Sequence, residues 1–307
     1  LFHSMLRIAS VAQGMITKGQ PMIRHLPMFL SGLTAGRSLP SIAPQPFRDI
    51  LPTIKQDVPN PKGKIAIFTG CLLDFVYVDI ATDVVKALNM AGYIVEMPLG
   101  QACCGAPATY MGDVENAKKA AELNLNAMEA EKYDYIVSAC PTCTHALRDY
   151  VDFFKDDPEM LKKAEELRSK TFDFCKLVSM LGGLPDTGDG VPMKVTYHDS
   201  CHLNRYLGVT KEQRELLKAT KGVELIEMHD CDKCCGFGGS YSVKFPEMSA
   251  PILEEKINNI VASGADVVAV DCPGCLLQIR GGLDARGLNN IQVKHTAQIV
   301  VEKREKK

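Results

Sequence analysis

The chain has 307 residues, room for about two domains, and its 46% hydrophobic and 23% charged residues are an ordinary globular balance. A formal net charge of −2 offers no basic field for a nucleic-acid backbone, and no apolar run reaches the roughly 18 residues of a membrane span. Twelve cysteines stand out. In a long chain with its own apolar core and no secretion signal, they point to metal or redox chemistry, with a disulfide scaffold as the alternative.

Residues 1–61 open at Leu1 rather than Met. Met5–Met15 has a short helical pattern, after which Pro21, Pro27, Pro40, Pro44, Pro46, Pro52, Pro59 and Pro61 break regular structure, so this segment is expected to be a connector or wrapping arm. Residues 62–182 and 183–307 are expected to be two similar domains. Lys64-Ile-Ala-Ile-Phe-Thr predicts a buried strand ending at Gly70-Cys71, followed by a helix with Val76, Ile80, Val84 and Leu88 on one face. Tyr93-Ile-Val-Glu-Met predicts a second strand running into Cys103-Cys104-Gly105. Ala117, Ala121, Leu125 and Met128 mark a helix, Tyr135-Ile-Val-Ser-Ala a third strand ending at Cys140, and Ala146 to Phe154 another helix. Residues 155–183, with Leu161, Ala164, Leu167 and Phe172, read as a helical linker. The second half repeats the order with Lys194-Val-Thr-Tyr-His, Val223-Glu-Leu-Ile-Glu, a helix carrying Ile252, Ile257, Ile260 and Val261, and Asp266-Val-Val-Ala-Val. Strands alternating with helices predict an α/β fold with largely parallel sheets, which bind ligands at the carboxyl ends of their strands.

The cysteines fall there, twice. Cys71, Cys103-Cys104 and Cys140-x-x-Cys143 return as Cys201, Cys234-Cys235 and Cys272-x-x-Cys275, an offset of 130 to 132 residues. Cys140 and Cys272 stand at predicted helix N-caps with Pro141 and Pro273 at the first helical position, where a missing N–H costs nothing and the free N–H groups face anionic sulfur. Thiolates select zinc, copper(I) or iron–sulfur centres. Structural zinc closes with four ligands, whereas each repeat offers five, and a vicinal Cys-Cys pair is awkward on one small ion. An extended cluster fits five sulfurs better, with zinc in one or both repeats as the alternative.

With those motifs set out, both halves resemble the cysteine-rich CCG domain over about residues 62–307. That domain occurs in heterodisulfide reductase catalytic subunits, in the iron–sulfur subunits of glycolate oxidase and anaerobic glycerol-3-phosphate dehydrogenase, and in lactate-utilisation proteins. Gln101-Ala-Cys-Cys-Gly-Ala-Pro, Tyr197-His-Asp-Ser-Cys-His-Leu and Cys234-Cys-Gly-Phe-Gly-Gly-Ser-Tyr-Ser are most similar to the glycolate-oxidase and lactate-utilisation branch. The resemblance implies a non-cubane 4Fe–4S cluster on Cys71, Cys103, Cys104, Cys140 and Cys143, and another on Cys201, Cys234, Cys235, Cys272 and Cys275. It further implies an electron-transfer subunit of a flavin-dependent glycolate or lactate oxidoreductase, handing electrons from a flavoprotein dehydrogenase to a quinone or other carrier. The alternative is a catalytic subunit that reduces a disulfide, as heterodisulfide reductases do. Such subunits usually carry a ferredoxin-like module, expected upstream of Leu1. A cytoplasmic location is expected, with peripheral attachment at the inner membrane face through the complex as the variant.

Other residues have plainer readings. Cys231 is expected to be a half-buried free thiol with ligand exchange as the alternative, and Cys175 a core residue. His198 and His202 flank Cys201 and are candidates for hydrogen bonds to cluster sulfur or for proton relay, set against a structural role. His145 is a weaker candidate, and Lys233, Lys244 and Arg205 are candidates for offsetting cluster charge, set against plain solvated residues. Gly236-Phe-Gly-Gly lacks the spacing of a phosphate loop. No flavin or nicotinamide fingerprint occurs, so hydride chemistry is expected in another subunit.

Overall fold

The computed structural model describes residues 13, 22–24, 37–185 and 190–305. The arm supplies β1 (Met22–Ile23), antiparallel to β2 (Leu39–Pro40), and a short helix α1 (Phe47–Ile50). The helix expected over Met5–Met15 lies outside the described residues apart from Gln13, as do Pro21 and Pro27.

The first repeat runs β3 (Lys64–Ile67), α2 (Gly70–Phe75), α3 (Val78–Met90), β4 (Ile94–Glu96), α4 (Ala106–Tyr110), α5 (Val114–Met128), β5 (Tyr135–Ser138), α6 (Pro141–Asp149), α7 (Pro158–Lys170), β6 (Thr171–Asp173) and α8 (Phe174–Met180). The second runs β7 (Met193–His198), a π-helical turn (His202–Tyr206), α9 (Glu212–Lys218), β8 (Val223–Leu225), α10 (Tyr241–Lys244), α11 (Pro246–Ser263), β9 (Val267–Val270), α12 (Pro273–Ala285), β10 (Gln292–Lys294) and α13 (Thr296–Glu302). Strand orders are β4-β3-β5-β6 and β8-β7-β9-β10, and every neighbouring pair within these two sheets is parallel. The α/β architecture of two tandem, similar units is therefore present. In both sheets the strand order reverses beside the first strand, which opens a crevice at the carboxyl edge.

Two local differences from expectation have physical causes. Residues 155–183 are not simply a helical linker, because Thr171–Asp173 leaves α7 to pair with β5 as a fourth strand. Asp173 then turns the chain into α8 by accepting a hydrogen bond from Cys175 N at 2.9 Å. A three-residue strand with one apolar residue between two polar ones carries no readable period. Val76 likewise lies in the break between α2 and α3 rather than on a helical face.

The repeats interlock. The last helix of each lies on the first long helix of the other, α8 on α9 and α13 on α3. One buried apolar cluster accordingly joins Val84 and Leu88 of α3, Phe174 and Leu177 of α8, Leu216 of α9 and Val300 of α13. A polar seam runs through it, where the buried Asp271 carboxylate accepts from Tyr197 Oη at 2.7 Å, Thr296 N at 3.2 Å and Cys175 Sγ at 3.7 Å. The seam fully buries Cys175.

Because the apolar cluster is shared, Leu88→Ala is expected to cost about 2–5 kcal/mol and to move one cooperative unfolding transition. Chemical denaturation followed by circular dichroism checks this, and two separate transitions of which only one shifts would contradict the shared core.

Candidate metal centres

Every cysteine of the repeated set follows a strand. Cys71 comes after β3, Cys103 and Cys104 after β4 and Cys140 after β5, with Cys201, Cys234, Cys235 and Cys272 in the matching places. Cys140 and Cys272 occupy the N-caps of α6 and α12 in extended conformation, with proline next in chain, so that Cys143 and Cys275 turn back toward them from the first helical turn. Gly70, at φ +57°, lets the chain bend into α2 ahead of Cys71, and a Cβ there would lie 3.0 Å from Cys143 Sγ. Gly236, at φ +82°, brings its backbone against α11, where a Cβ would stand 2.7 Å from Ser249 O.

These placements bring all ten cysteines into one string. Cys103 neighbours both Cys71 and Cys104, and Cys143 lies between Cys104 and Cys140. In the second repeat Cys234 neighbours both Cys201 and Cys235, and Cys275 lies between Cys235 and Cys272. The two halves meet where Cys140 neighbours Cys272. Cys103 is drawn down to about 3 by the hydrogen bonds from Cys104 and Cys71, and Cys234 to about 2 by those from Cys201 and Cys235. Hydrogen bonds from Cys140 and Cys275 hold Cys272 well below the ordinary thiol range. The donors Cys71 and Cys201 are pushed up, chiefly by those same hydrogen bonds. Buried thiols at such range cannot all ionise unless a cation sits among them. The donor set therefore fits a soft metal or iron–sulfur centre in each repeat, which would take up these thiols as thiolates.

Around the first site the supports are neutral. Gln101 accepts from Thr69 N at 3.0 Å and donates to Ile67 O and Pro98 O, pinning the loop ahead of Cys103. Asn124 accepts from Ala102 N at 2.8 Å and donates to Cys103 O and to Tyr150 Oη, each at 2.9 Å, while Tyr150 Oη donates to Cys104 O at 3.0 Å. At the second site Ser249 Oγ donates to Gly236 O at 2.8 Å and accepts from Gln278 Nε2 at 3.1 Å. Gln101, Asn124, Tyr150 and Ser249 were not anticipated from the sequence. The stripe Ala117, Ala121, Asn124, Met128 was the available signal, since one polar residue sits on an otherwise apolar face.

The other singled-out residues separate clearly. His198 is 1% exposed, with both ring nitrogens unpartnered among the described residues, and one ring nitrogen, Cys235 Sγ and Cys275 Sγ all lie within 4.8 Å of one another. Burial pushes its imidazole down to about 4. His202 reaches across the junction, 3.0 Å from Tyr110 Oη and 3.4 Å from Thr142 Oγ1, and stacks on Tyr206. His145 pairs with Asp149 at 2.8 Å and packs on Tyr206, so the two repeats share an aromatic rim beside the sulfurs. Cys231 lies outside the string, half-buried with its Sγ 3.6 Å from Arg214 Nη2, and Arg214 is itself clamped by Asp199 and Glu227. Lys233 is engaged by Asp230 and Glu255, and Lys244 and Arg205 are exposed.

Gly70→Ala is expected to lower bound metal per chain toward half, because its Cβ and its φ both disturb the first site and leave the second intact. Metal analysis of the purified variant beside wild type checks this, and an unchanged content would show that the Gly70 approach is not required.

The profile of the CCG cysteine-rich domain matches residues 65–148 and 195–280. "Lactate utilization protein A" of Shouchella clausii (strain KSM-K16) is 39% identical over 240 residues, 78% of this chain and 99% of that protein. The protein of the same name in Bacillus subtilis (strain 168) is 36% identical over 238 residues, 77% of this chain and 98% of its own length. A crystal structure of a hypothetical protein from Helicobacter pylori superposes with a TM-score of 0.56 at 11% identity, covering 85% of this chain and 54% of that one, a likeness of fold alone. With the duplicated strand order and two complete five-cysteine sets, the chain belongs to the CCG cysteine-rich domain family and carries two copies of the domain.

Proposed function

We propose that this chain is the iron–sulfur electron-transfer subunit of a lactate-utilising system, working beside a flavoprotein that oxidises the 2-hydroxy acid. The observation that carries the reading is the unbroken string of sulfurs joining the two repeats at Cys140 and Cys272. The name shared by the relatives adds the metabolic setting. When bound, iron–sulfur clusters supply one-electron transfer. The ten cysteines would hold them, five in each repeat. The residues around them keep that chemistry protected. Cys104, Cys140, Cys143, Cys235, Cys272 and Cys275 are buried, which excludes water from the middle of the string. The N-termini of α6 and α12 supply backbone N–H groups, of which Gly274 N and Cys275 N act on Cys272. Asn124 and Tyr150 fix the carbonyls of the Cys103–Cys104 pair, so its sulfurs keep their directions.

Reduction of a disulfide is the second reading. It is favoured by the convergence of both repeats on one rim, where His202 and Tyr206 of the second repeat meet Tyr110, Thr142 and His145 of the first. Such a rim could seat a small disulfide beside both sets of thiols.

Anaerobic purification with metal and sulfide analysis and EPR tests the assignment. About eight irons and eight sulfides per chain, with reduction by lactate through a co-purified flavoprotein, is the expected result. Zinc without sulfide would overturn it. Rapid reoxidation of the reduced protein by a small disulfide, with no response to the flavoprotein, would transfer the assignment to the second reading.

A further inference from the structure

The two repeats share a register, and reading it position by position exposes an asymmetry around their sulfurs. The strand Lys64–Cys71 aligns with Lys194–Cys201, which places His198 where the first repeat has Phe68. The helical stripe Ala117, Ala121, Asn124, Met128 aligns with Ser249, Leu253, Lys256, Ile260, which places Lys256 where the first repeat has Asn124. Tyr150, which braces the Cys103–Cys104 pair in the first repeat, aligns with Gly282. There the arm enters instead. Ser38 N donates to Gly281 O at 3.1 Å, and a Cβ on Gly281 would stand 2.2 Å from Ser38 O, so only glycine admits the arm so closely. The preceding residue, Arg37, is thereby buried against the second site. It donates to Gln278 Oε1 and lies 5.9 Å over the Phe237 ring, two residues beyond Cys235.

Each replacement brings positive charge or a donor to the second site where the first has neutral groups. Lys256 is 1% exposed, and its ammonium donates to two carbonyls, Asp230 O at 2.5 Å and Cys231 O at 3.3 Å. Neither Lys256 nor Arg37 forms a direct ion pair with a carboxylate among the described residues, although the Asp230 and Asp232 carboxylates act on Lys256 from a distance. His198 adds a ring nitrogen within 4.8 Å of two sulfurs. Cys234 is also exposed and shares a cavity of about 210 Å³ with Lys233, Lys256 and Glu255, the last engaged by Lys233, giving the second site a water-facing edge.

We propose that the second centre takes up an electron at a higher potential than the first, because the charges of Lys256 and Arg37 offset the negative charge that the electron brings and the His198 ring offers it an N–H donor. This rests on the iron–sulfur reading. In the step, a one-electron reductant loses one electron and the second centre gains it. No bond breaks, and Lys256 and Arg37 are already in place. Electrons entering at the first repeat therefore run downhill across the Cys140–Cys272 junction and leave from the Cys234 edge.

The test is an EPR-monitored titration of the full chain with dithionite, made anaerobically on wild type, Lys256→Asn and His198→Phe, with iron and sulfide measured on each sample. Two potentials are expected. Both variants should lower the upper one toward the lower one, while Asn124→Lys should raise the lower one. Arg37→Gln, which changes the arm and no cysteine neighbour in sequence, repeats the downward shift if a site variant loses iron. Two loaded centres with an unmoved upper potential, or a shift of the lower one, would overturn this inference alone. Wild type without iron and sulfide would remove the underlying reading and the inference with it.

Discussion

Ten sulfurs packed into one mostly buried string set the terms for the rest of the molecule. So many buried thiols at such range cannot all ionise by themselves, whereas a soft cation among them lets all of them serve as thiolates together. The sheet edges, the glycines before and after the cysteines and the two proline-started helices all serve to bring those atoms within reach of one another. The fold thus carries a local cost, in close thiols and unpaired ring nitrogens, at the place where its chemistry is held.

Interlocking of the repeats follows from the same constraint. A string that crosses from Cys140 to Cys272 needs two strand ends facing each other at fixed distance. Short loops alone would leave that distance loose. The exchange of α8 and α13 between repeats buries apolar surface on both sides of the junction, and Cys175 of the first repeat reaches across it to Asp271 of the second. Asp271 directly precedes Cys272, so the seam positions one of the two sulfurs that meet.

Much of this was legible in the sequence, because cysteine spacing and strand ends are local. The offset repeat named the ten sulfurs and the α/β alternation gave the parallel sheets. Three kinds of feature were not legible. The fourth strand β6 lies inside the stretch read as a helical linker, and β10 at Gln292–Lys294 received no reading. The meeting of Cys140 with Cys272 depends on how two sheets face, and no periodicity reports that. The supports around the sulfurs depend on helical phase and on distant segments. Lys256 could have been found, because it stands on the same stripe as Leu253 and Ile260. Arg37 could not, because its place follows from an arm packing on Gly281, 244 residues away. The charged residues nearest the cysteines in sequence, such as Lys233, proved to be occupied elsewhere.

The exchanged helices also impose an order on how the protein is made. As the chain leaves the ribosome, α3 emerges early with an apolar face whose cover, α13, is synthesised some two hundred residues later. During that interval five thiols of the first repeat are present without the Cys272 they will meet. Their metal must then be delivered to a half-built site or wait for release of the finished chain. A nascent chain with exposed apolar surface and reactive thiols is a substrate for chaperones and for oxidation alike. The first repeat therefore stays uncovered until the last helix of the second has been made.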